Sequence, residues 1–443
     1  MNTRNLLRAC VIPALILAAG IVGGSQASPA ASLTASERAV VAFIDTHNAE
    51  ALTLLERLVN INSGTHNPEG VREVGKIIQA QLDRFGFRTR WIDGAAFRRA
   101  GHLVAEHPGT GPRVALVGHL DTVFERDSPF QAFQRLDKTT ARGPGVIDMK
   151  GGDVIIVSAL GALDAAGLLK TMNLVVVMTG DEEDPGRPLS RAREALVTAA
   201  RNADFALGFE DGDGNPEHAV TARRGSTSWR ISVKGTAAHS SQIFREDVGP
   251  GAVFEAARIL NAFREQLAGE AHLTFNPGAI LGGTSVEFDA AEARGSASGK
   301  NNVIAGEVEM SGDLRALTRE QFKKAKAKMR EIVGASLPHT EARIAFDEGY
   351  PPLAPSDGNA RLLALFDEAS RDLGLGPVTA TNPDKAGAAD VAYLAGEVPM
   401  ILDGVGLKGR DDHTPGETAD LTTLPMQTKR AALLLHRLTR PSR

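Results

Sequence analysis

The stretch VALVGHLDT, residues 114–122, joins a short apolar run to polar groups that follow it directly. Two similar apolar runs occupy residues 174–178 and 205–209, and both are continuous and rich in β-formers. Such runs are typical of strands that helices cover on both faces. Functional groups in open α/β sheets collect just beyond the carboxyl ends of the strands, so the residues after each run are the first candidates for chemistry.

Helical patterns separate these apolar runs. Apolar residues recur with helical spacing over residues 35–58, 71–85, 154–169 and 190–200. Strands that alternate with helices predict an α/β fold with a mostly parallel sheet. We therefore expect a mostly parallel-stranded catalytic domain with helices on both of its faces.

The pattern changes near Arg224. Residues 226–235 alternate like a half-exposed strand, a helical pattern follows over residues 251–267, and a second alternating run precedes a helix over residues 318–333. After Gly349 the first kind of alternation resumes. We predict an inserted α+β domain, and three consecutive small domains are the alternative. The predicted boundaries place the insert at residues 225–347, between two parts of the catalytic domain at residues 28–224 and 348–443.

The N-terminus, residues 1–27, has the pattern of a secretory signal peptide. Basic residues precede an apolar run over residues 9–22, which is shorter than the roughly 20 residues of a membrane-spanning helix. Ser25 and Ala27 then form a cleavage site of small residues. An uncleaved membrane anchor is the alternative. We predict a periplasmic or secreted protein with no stable membrane span after cleavage.

The composition limits the chemistry. The single cysteine, Cys10, lies in the predicted signal peptide, so a metal in the mature protein would be held by His, Asp and Glu alone. The net charge is −5 and its signs are interspersed, which gives no footprint for a nucleic-acid partner.

His119 and Asp121 follow the first apolar run with a spacing of two, which turns both side chains to one side of an extended chain. Asp121 could then hold the second ring nitrogen of His119 and set its metal-binding tautomer. A structural role is the alternative for such a pair taken alone.

Asp148 lies in the glycine-rich stretch ARGPGVIDMKGG, residues 141–152, directly before a predicted helix. Glycines on both sides let the backbone bend sharply around this carboxylate. The stretch matches neither of the phosphate-binding glycine patterns. A helix N-cap without further function is the alternative for Asp148.

Acids cluster after the next two apolar runs, at residues 181–184 and at Glu210 and Asp211. Like charges this close repel by about 1 to 4 kcal/mol per pair, so a buried cluster needs cations, and a solvated loop is the alternative. His413 lies in a similar polar stretch, GRDDHTPGETAD. The chain contains neither H-E-x-x-H nor G-x-S-x-G, the signatures of single-zinc proteases and serine hydrolases.

Six motifs in this order resemble the co-catalytic zinc hydrolases of the aminoacylase, glutamate carboxypeptidase and succinyl-diaminopimelate desuccinylase type. They are GHLDT, GPGVIDMKGG, GDEED, LGFED, KGTAAHS and DDHTPGE, and they span nearly all of the mature chain. The resemblance implies two zinc ions per subunit, bridged by Asp148. His119 and Glu210 would complete one zinc site, and Glu183 and His413 the other.

The same resemblance assigns roles to further side chains. Asp121 would orient His119, and Glu182 would be the general base. His239, in the predicted insert, would donate to the oxyanion in the active site of a partner subunit, which makes the insert a lid and dimerisation domain and the protein a homodimer.

Arg315 and Asn302 match the family positions that approach the substrate carboxylate, and a guanidinium suits that planar ion. An exposed structural arginine is the alternative for Arg315. Two features depart from glutamate-selective members: His218 and Tyr350 stand where those proteins place cations, and the lid motif reads AAHSSQIF. Glutamate selectivity is therefore not implied.

These observations predict an exported di-zinc exopeptidase of the carboxypeptidase or dipeptidase type. Its substrate would be a small peptide with a free carboxylate beside the scissile amide bond. An N-acyl-amino-acid amidohydrolase uses the same machinery and is the alternative. An inactive binding protein on the same fold is disfavoured, because no ligand and no base of the family pattern is missing.

Overall fold

The structure is a computed structural model that describes residues 33–289 and 294–440. The predicted signal peptide, residues 1–27, lies outside these residues. Within the described part of the chain, no helix combines the length and the apolar character needed to cross a membrane.

Helices and strands alternate along most of the described chain. The α-helices are α1 Ala35–Val59, α2 Pro68–Arg84, α3 Lys150–Ala165, α4 Leu189–Ala192, α5 Glu194–Ala200, α6 Gly251–Leu267, α7 Arg319–Gly334, α8 Asp357–Asp372 and α9 Thr423–Leu438. The β-strands are β1 Arg88–Asp93, β2 Gly101–His107, β3 Arg113–His119, β4 Gln134–Arg135, β5 Thr140–Arg142, β6 Asn173–Thr179, β7 Phe205–Gly208, β8 His218–Ala219, β9 Gly225–Gly235, β10 Thr274–Gly283, β11 Ser285–Asp289, β12 Arg294–Ser298, β13 Glu307–Ala316, β14 Thr340–Phe346, β15 Thr379–Ala380, β16 Met400–Leu402, β17 Gly409–Arg410 and β18 Thr418–Asp420.

The main sheet has the strand order β1-β2-β6-β3-β7-β16. Strands β6, β3, β7 and β16 are parallel, while β2 runs antiparallel to both of its neighbours. The predicted fold class is confirmed, because this is an α/β fold with a mostly parallel sheet.

Both faces of this sheet are buried, which explains its continuous apolar strands. On β3, Val114 and Leu116 pack into the core that contains α1, α3 and α9. Ala115 and Val117 point to the opposite face and pack into a second core that contains Leu196 of α5. Successive side chains of a strand point to opposite faces, so a strand covered on both sides must be apolar throughout.

Helix α2 begins three residues before its predicted start, and two further predicted helices differ more from the structure. Helix α3 begins at Lys150, four residues before the predicted start, so Gly151 and Gly152 lie in its first turn and not in a bend. A Cβ atom at Gly152 would lie 2.0 Å from the carbonyl oxygen of Phe209, so glycine serves close packing here. The predicted helix over residues 190–200 is interrupted at Arg193, whose side chain is buried in ion pairs.

A second, antiparallel sheet has the order β10-β13-β9-β14. Helices α6 and α7 pack on it around a separate core that contains Trp229, Phe263 and Met310. Strands β11 and β12 form a separate two-stranded sheet within the described residues. The chain enters and leaves this sheet side by side, because Ser226 forms a bridge with Tyr350. The described residues form one compact unit, so the domain boundaries stay a prediction.

Candidate metal centre

Three adjacent parallel strands carry the first candidate ligands to one edge of the main sheet. His119 is the last residue of β3, and Thr179, the last residue of β6, is followed by the acidic residues 181–184. Glu210 follows β7 after one intervening residue. These candidate ligands therefore lie at the carboxyl ends of strands, as the sequence predicts.

A small sheet of order β17-β18-β5-β4 brings the two remaining ligands to this edge. Strand β5 leads into the loop of Asp148, and β17 and β18 flank the loop of His413, so the pairing of β18 with β5 places the loops side by side. Glu417 joins them further, because its carboxylate accepts hydrogen bonds from the backbone N–H groups of Gly145, Ile147 and Asp148 at 2.9, 2.9 and 3.2 Å.

The carboxylate of Asp148 lies between two histidines. Its Oδ1 is 3.0 Å from Nε2 of His119, and its Oδ2 is 2.9 Å from Nε2 of His413. Each histidine also faces a glutamate: His119 lies 3.5 Å from Glu210, and His413 lies 3.2 Å from Glu183. The five predicted metal ligands thus form two groups that share Asp148. We call these groups half-sites: one contains His119 and Glu210, the other Glu183 and His413.

Asp121 is fully buried and organises the surrounding backbone. The Nδ1 atom of His119 lies 3.1 Å from the Asp121 carbonyl oxygen and 3.5 Å from its carboxylate. The same carboxylate accepts the backbone N–H groups of Glu182 and Glu183 at 3.0 and 3.2 Å, and the hydroxyl of Thr65 at 2.6 Å. Asp121 therefore holds the acidic loop as well as the histidine.

Burial and mutual repulsion shift the protonation of this cluster. Burial, followed by the charge of Asp148, raises the pKa of Glu183 to about 7. Burial also raises the pKa of Glu210 well above its usual value. Hydrogen bonds to Asp148 and Glu183 raise the pKa of His413 to about 11. The raised pKa values show that these side chains retain protons, because the cluster has more negative charge than its surroundings compensate.

This arrangement of side chains fits bound divalent cations better than it fits a purely structural role. The Oε1 atom of Glu183 is buried without a hydrogen-bond partner among the described residues, whereas buried carboxylates normally have one. Asp148 is not the N-cap of α3. The N-cap is Met149, and the Met149 side chain makes no capping hydrogen bond. Histidine and carboxylate ligands without cysteine suit zinc. Asp412 lies close enough to Asp148 and His413 to be a further ligand.

Glu182 and Glu183 are adjacent but differ in their contacts. Glu183 faces His413, whereas the carboxylate of Glu182 makes no hydrogen bond or ion pair within residues 33–289 and 294–440. Burial raises the pKa of Glu182 well above its usual value. Glu182 lines a cavity of about 710 Å³ above the cluster, so its carboxylate is available to a small molecule there.

The remaining site predictions divide into two groups. Arg315 lines the same cavity, where its guanidinium pairs with Asp313 at 2.9 Å. His239 and Asn302 lie outside the cavity, exposed on the second sheet's side of the molecule. They lie near each other, because Asn302 accepts the N–H of Ser240 at 2.9 Å. A single chain therefore does not bring these two residues to the metal centre.

Sequence reasoning missed several groups that support the site. Glu417 lies four residues after His413 in the same motif, and its position there was an available signal. Arg193 gave no local signal, since an arginine in a helical pattern usually faces solvent. Its guanidinium is instead buried and pairs with Asp181 at 2.6 Å and Asp390 at 2.7 Å.

A cluster of histidines and carboxylates at the strand ends of an α/β sheet, beside an open cavity, suits a metal-dependent hydrolase. The chain belongs to peptidase family M20/M25/M40, whose family model matches residues 115–437. It is an enzyme of this metallopeptidase and amidohydrolase family, and the sequence-based identification is confirmed.

Several known proteins resemble this chain in sequence or in structure. Carboxypeptidase G2 of Pseudomonas sp. (strain RS-16) is 25% identical over 374 residues, which cover 83% of this chain and 84% of that protein. A succinyl-diaminopimelate desuccinylase of Magnetococcus marinus is 24% identical over 377 residues, with coverages of 81% and 91%. The crystal structure of the Bacillus subtilis YXEP protein, described as a dinuclear metal binding peptidase, superposes with a TM-score of 0.62 at 16% identity and covers 89% of this chain and 99% of its own.

Proposed function

We propose that this protein is an exported di-zinc exopeptidase of the carboxypeptidase or dipeptidase type, which hydrolyses an amide bond next to a free carboxylate. The observation that carries the proposal is the pair of half-sites that share Asp148, with the free carboxylate of Glu182 beside them. The relative named carboxypeptidase G2 supports the same reaction class.

Two cations are proposed because each oxygen of Asp148 faces its own histidine and glutamate. His119 and Glu210 would hold one ion, and Glu183 and His413 the other. The dinuclear centre named for the YXEP protein supports this number. Bound divalent cations would lower the pKa of a water molecule in the cavity towards about 7 and polarise the substrate carbonyl.

The chain's own residues supply the proton transfer and the positioning. Glu182 accepts the proton of the attacking water and passes it to the leaving nitrogen. Asp121 keeps His119 in the tautomer that leaves Nε2 free to bind metal. Arg315 binds the substrate carboxylate from the cavity wall, and His239 of the partner subunit donates a hydrogen bond to the oxyanion.

A homodimer is proposed because the insert exposes an apolar surface. Phe244 and Phe254 are 64% and 49% exposed, their rings lie 5.4 Å apart, and Val253 is adjacent. Ile280 is also exposed on β10, which is an edge strand of the second sheet within the described residues. Large exposed apolar side chains beside an edge strand favour association with a second copy. Phe244 lies five residues from His239, so an interface here would carry that histidine towards a partner.

An N-acyl-amino-acid amidohydrolase is the second candidate. The relative named succinyl-diaminopimelate desuccinylase favours it, because that name describes removal of an acyl group from an amine. Both reactions use the same metal centre, so they differ only in the group on the far side of the scissile bond.

A paired substrate screen tests the proposal. Zinc-loaded protein is incubated with dipeptides, with the same dipeptides amidated at the C-terminus, and with N-acyl amino acids. We expect hydrolysis of free dipeptides only, abolition by a chelator and a loss of about 10² to 10⁴ in Glu182→Gln. Equal turnover of the amidated dipeptides would contradict carboxylate recognition, and preference for N-acyl amino acids would favour the second candidate.

Export is tested separately. The signal-peptide pattern predicts a mature protein that starts at Ser28 and lies outside the cytoplasm. N-terminal sequencing of protein from cell fractions checks this, and an intact Met1 on cytoplasmic protein would contradict export.

A further inference from the structure

The backbone of Glu182 is held on both sides of the residue. Its N–H donates to the buried carboxylate of Asp121 at 3.0 Å, and its carbonyl oxygen accepts the hydroxyl of Tyr350 at 2.7 Å. The Glu182 carboxylate has no hydrogen-bond partner of its own in the described part of the chain, so these two contacts fix the backbone from which it projects.

The direction of the Tyr350 hydrogen bonds follows from the groups around it. A guanidinium nitrogen of Arg193 lies 2.8 Å from the Tyr350 hydroxyl, and a guanidinium can only donate. A carbonyl oxygen can only accept. The hydroxyl therefore accepts from Arg193 and donates to Glu182, and its single proton is committed to the carbonyl.

Arg193 is itself immobilised. Its guanidinium donates to Asp390 at 2.7 Å and to Asp181 at 2.6 Å, and all three side chains are buried. The Tyr350 hydroxyl is thus attached to a rigid network that reaches the start of the acidic loop at Asp181. A network of this kind can transmit position, because its charged members are buried and paired with one another, while Tyr350 is half-buried at the wall of the cavity.

Tyr350 also lies where the chain leaves the second sheet. Its carbonyl oxygen accepts the N–H of Ser226 at 3.1 Å, at the start of β9. Glu348, two residues earlier, contacts the segment that follows the acidic loop, because its carboxylate accepts the N–H of Leu189 at 3.1 Å and its carbonyl accepts the side chain of Arg187 at 2.8 Å. The segment of residues 348–350 therefore joins the insert to the loop that carries Glu182.

We propose that Tyr350 is a positioning residue that sets the geometry of Glu182 and couples it to the inserted sheet. This rests on the proposed function, in which Glu182 transfers the proton. A proton-transfer group must stand within hydrogen-bond reach of its water, and small displacements of a reacting group cost large factors in rate. Tyr350 acts through the Glu182 carbonyl and need not touch the substrate.

The chain offers a matched control in Tyr393. The rings of Tyr350 and Tyr393 lie 5.2 Å apart, and the Arg193 guanidinium carbon lies 5.7 and 5.6 Å from their centres. The Tyr393 hydroxyl, however, is buried without a hydrogen-bond partner among the described residues. Replacement of either tyrosine by phenylalanine removes one hydroxyl beside the same arginine, but only one of those hydroxyls contacts Glu182.

We expect Tyr350→Phe to lower kcat about tenfold, because it removes one hydrogen bond to the backbone carbonyl of Glu182. KM should stay within about twofold of the wild type. Metal content and thermal unfolding should stay near those of Tyr393→Phe, whose kcat should equal that of the wild type. Glu348→Ala, at an exposed position of the same segment, is a second variant and should lower kcat about two- to threefold.

Three outcomes would overturn the proposal: an unchanged kcat in Tyr350→Phe, an equal loss in Tyr393→Phe, or a rise in KM alone, which would make Tyr350 a substrate contact. Glu182→Gln measured beside these variants separates the two levels of inference. If Glu182→Gln is inactive while Tyr350→Phe matches the wild type, only the positioning role fails. If Glu182→Gln keeps full activity, the proposed base is wrong.

Discussion

The metal centre and the loop of His239 differ in how firmly the chain holds them. At the centre, His119 is 1% exposed and Asp121 is fully buried, and both are fixed by contacts within the chain. His239 is exposed, and within the described part of the chain its ring forms hydrogen bonds only with nearby Ser241, the shorter at 2.8 Å. Of the five groups predicted to bind metal, only His413 is exposed, and it is held by Asp148 and Glu183. His239 and Asn302, predicted to reach substrate from the insert, lie at the surface outside the cavity.

This difference has a physical reason. A dinuclear metal site needs several ligands held with little freedom, and buried hydrogen bonds supply that rigidity. A group that must approach after substrate has entered cannot be packed into the same core. The contrast supports the proposed site, in which the metal ligands belong to one chain and the oxyanion donor comes from a second.

The largest expected effect separates Glu182 from Glu183. We expect Glu182→Ala to retain both metal ions and lose kcat by about 10² to 10⁴, because it removes a proton-transfer group. Glu183→Ala should lose metal as well as activity, since Asp148 and His413 alone leave one ion with too few ligands. Metal content by elemental analysis beside turnover checks both. Loss of zinc in Glu182→Ala with retention in Glu183→Ala would reverse the assignment.

The next prediction tests whether His239 acts in the active site of a partner subunit. We expect His239→Ala to lower kcat by about 10² to 10³, the usual effect of a lost oxyanion donor, with metal content unchanged. A heterodimer of His239→Ala and Glu182→Ala subunits should regain activity, because one of its two sites contains both intact groups. Activity of purified, differently tagged hybrids measures this. An inactive heterodimer of confirmed composition would contradict a shared site.

A smaller effect concerns the stability of the buried half. Glu417→Ala leaves three backbone N–H groups without their acceptor, and we expect the free energy of unfolding to fall by about 1 to 3 kcal/mol. Glu320→Ala is the control, because Glu320 forms an exposed pair with Lys324 on the insert and should change stability by less than about 0.5 kcal/mol. Chemical denaturation compares the two, and equal effects would contradict the structural role of Glu417.

The smallest effect is a pH dependence at Glu37, which closes the first turn of α1 with Thr34 and pairs with Arg437 at 2.9 Å. Burial raises its pKa, but hydrogen bonds from Thr34 and Arg437 outweigh this and lower it from 4.5 to about 2. Its stabilisation is therefore fully present above pH 4.5 and is lost as the pH falls towards 2.

We expect Glu37→Gln to reduce the free energy of unfolding at about pH 7 and to have less effect at about pH 3, as measured by urea unfolding. The control is Glu341→Gln, which removes an exposed partner of Arg343 on β14 and should change little at either pH. A loss in Glu37→Gln that is independent of pH would show that the charge of Glu37 is not what stabilises the fold.

Much of the fold and of the metal half could be predicted because the signals are local. A continuous apolar run that ends in polar residues is a property of a few neighbouring positions, and it located His119 and the acidic loop at strand ends. The period of α6 was equally local, and its predicted bounds equal the observed ones. Known family motifs then suggested roles that no periodicity contains.

The tertiary structure decided how groups that are distant in sequence are brought together. His413 reaches Asp148 across 265 residues of chain, because a two-strand pairing brings their loops together. The burial of Arg193 and the contact of Tyr350 with Glu182 have no counterpart in local sequence. Local patterns report which face of a helix or strand is apolar, but a contact between distant segments depends on how whole elements pack, and that is determined only when the complete chain has folded.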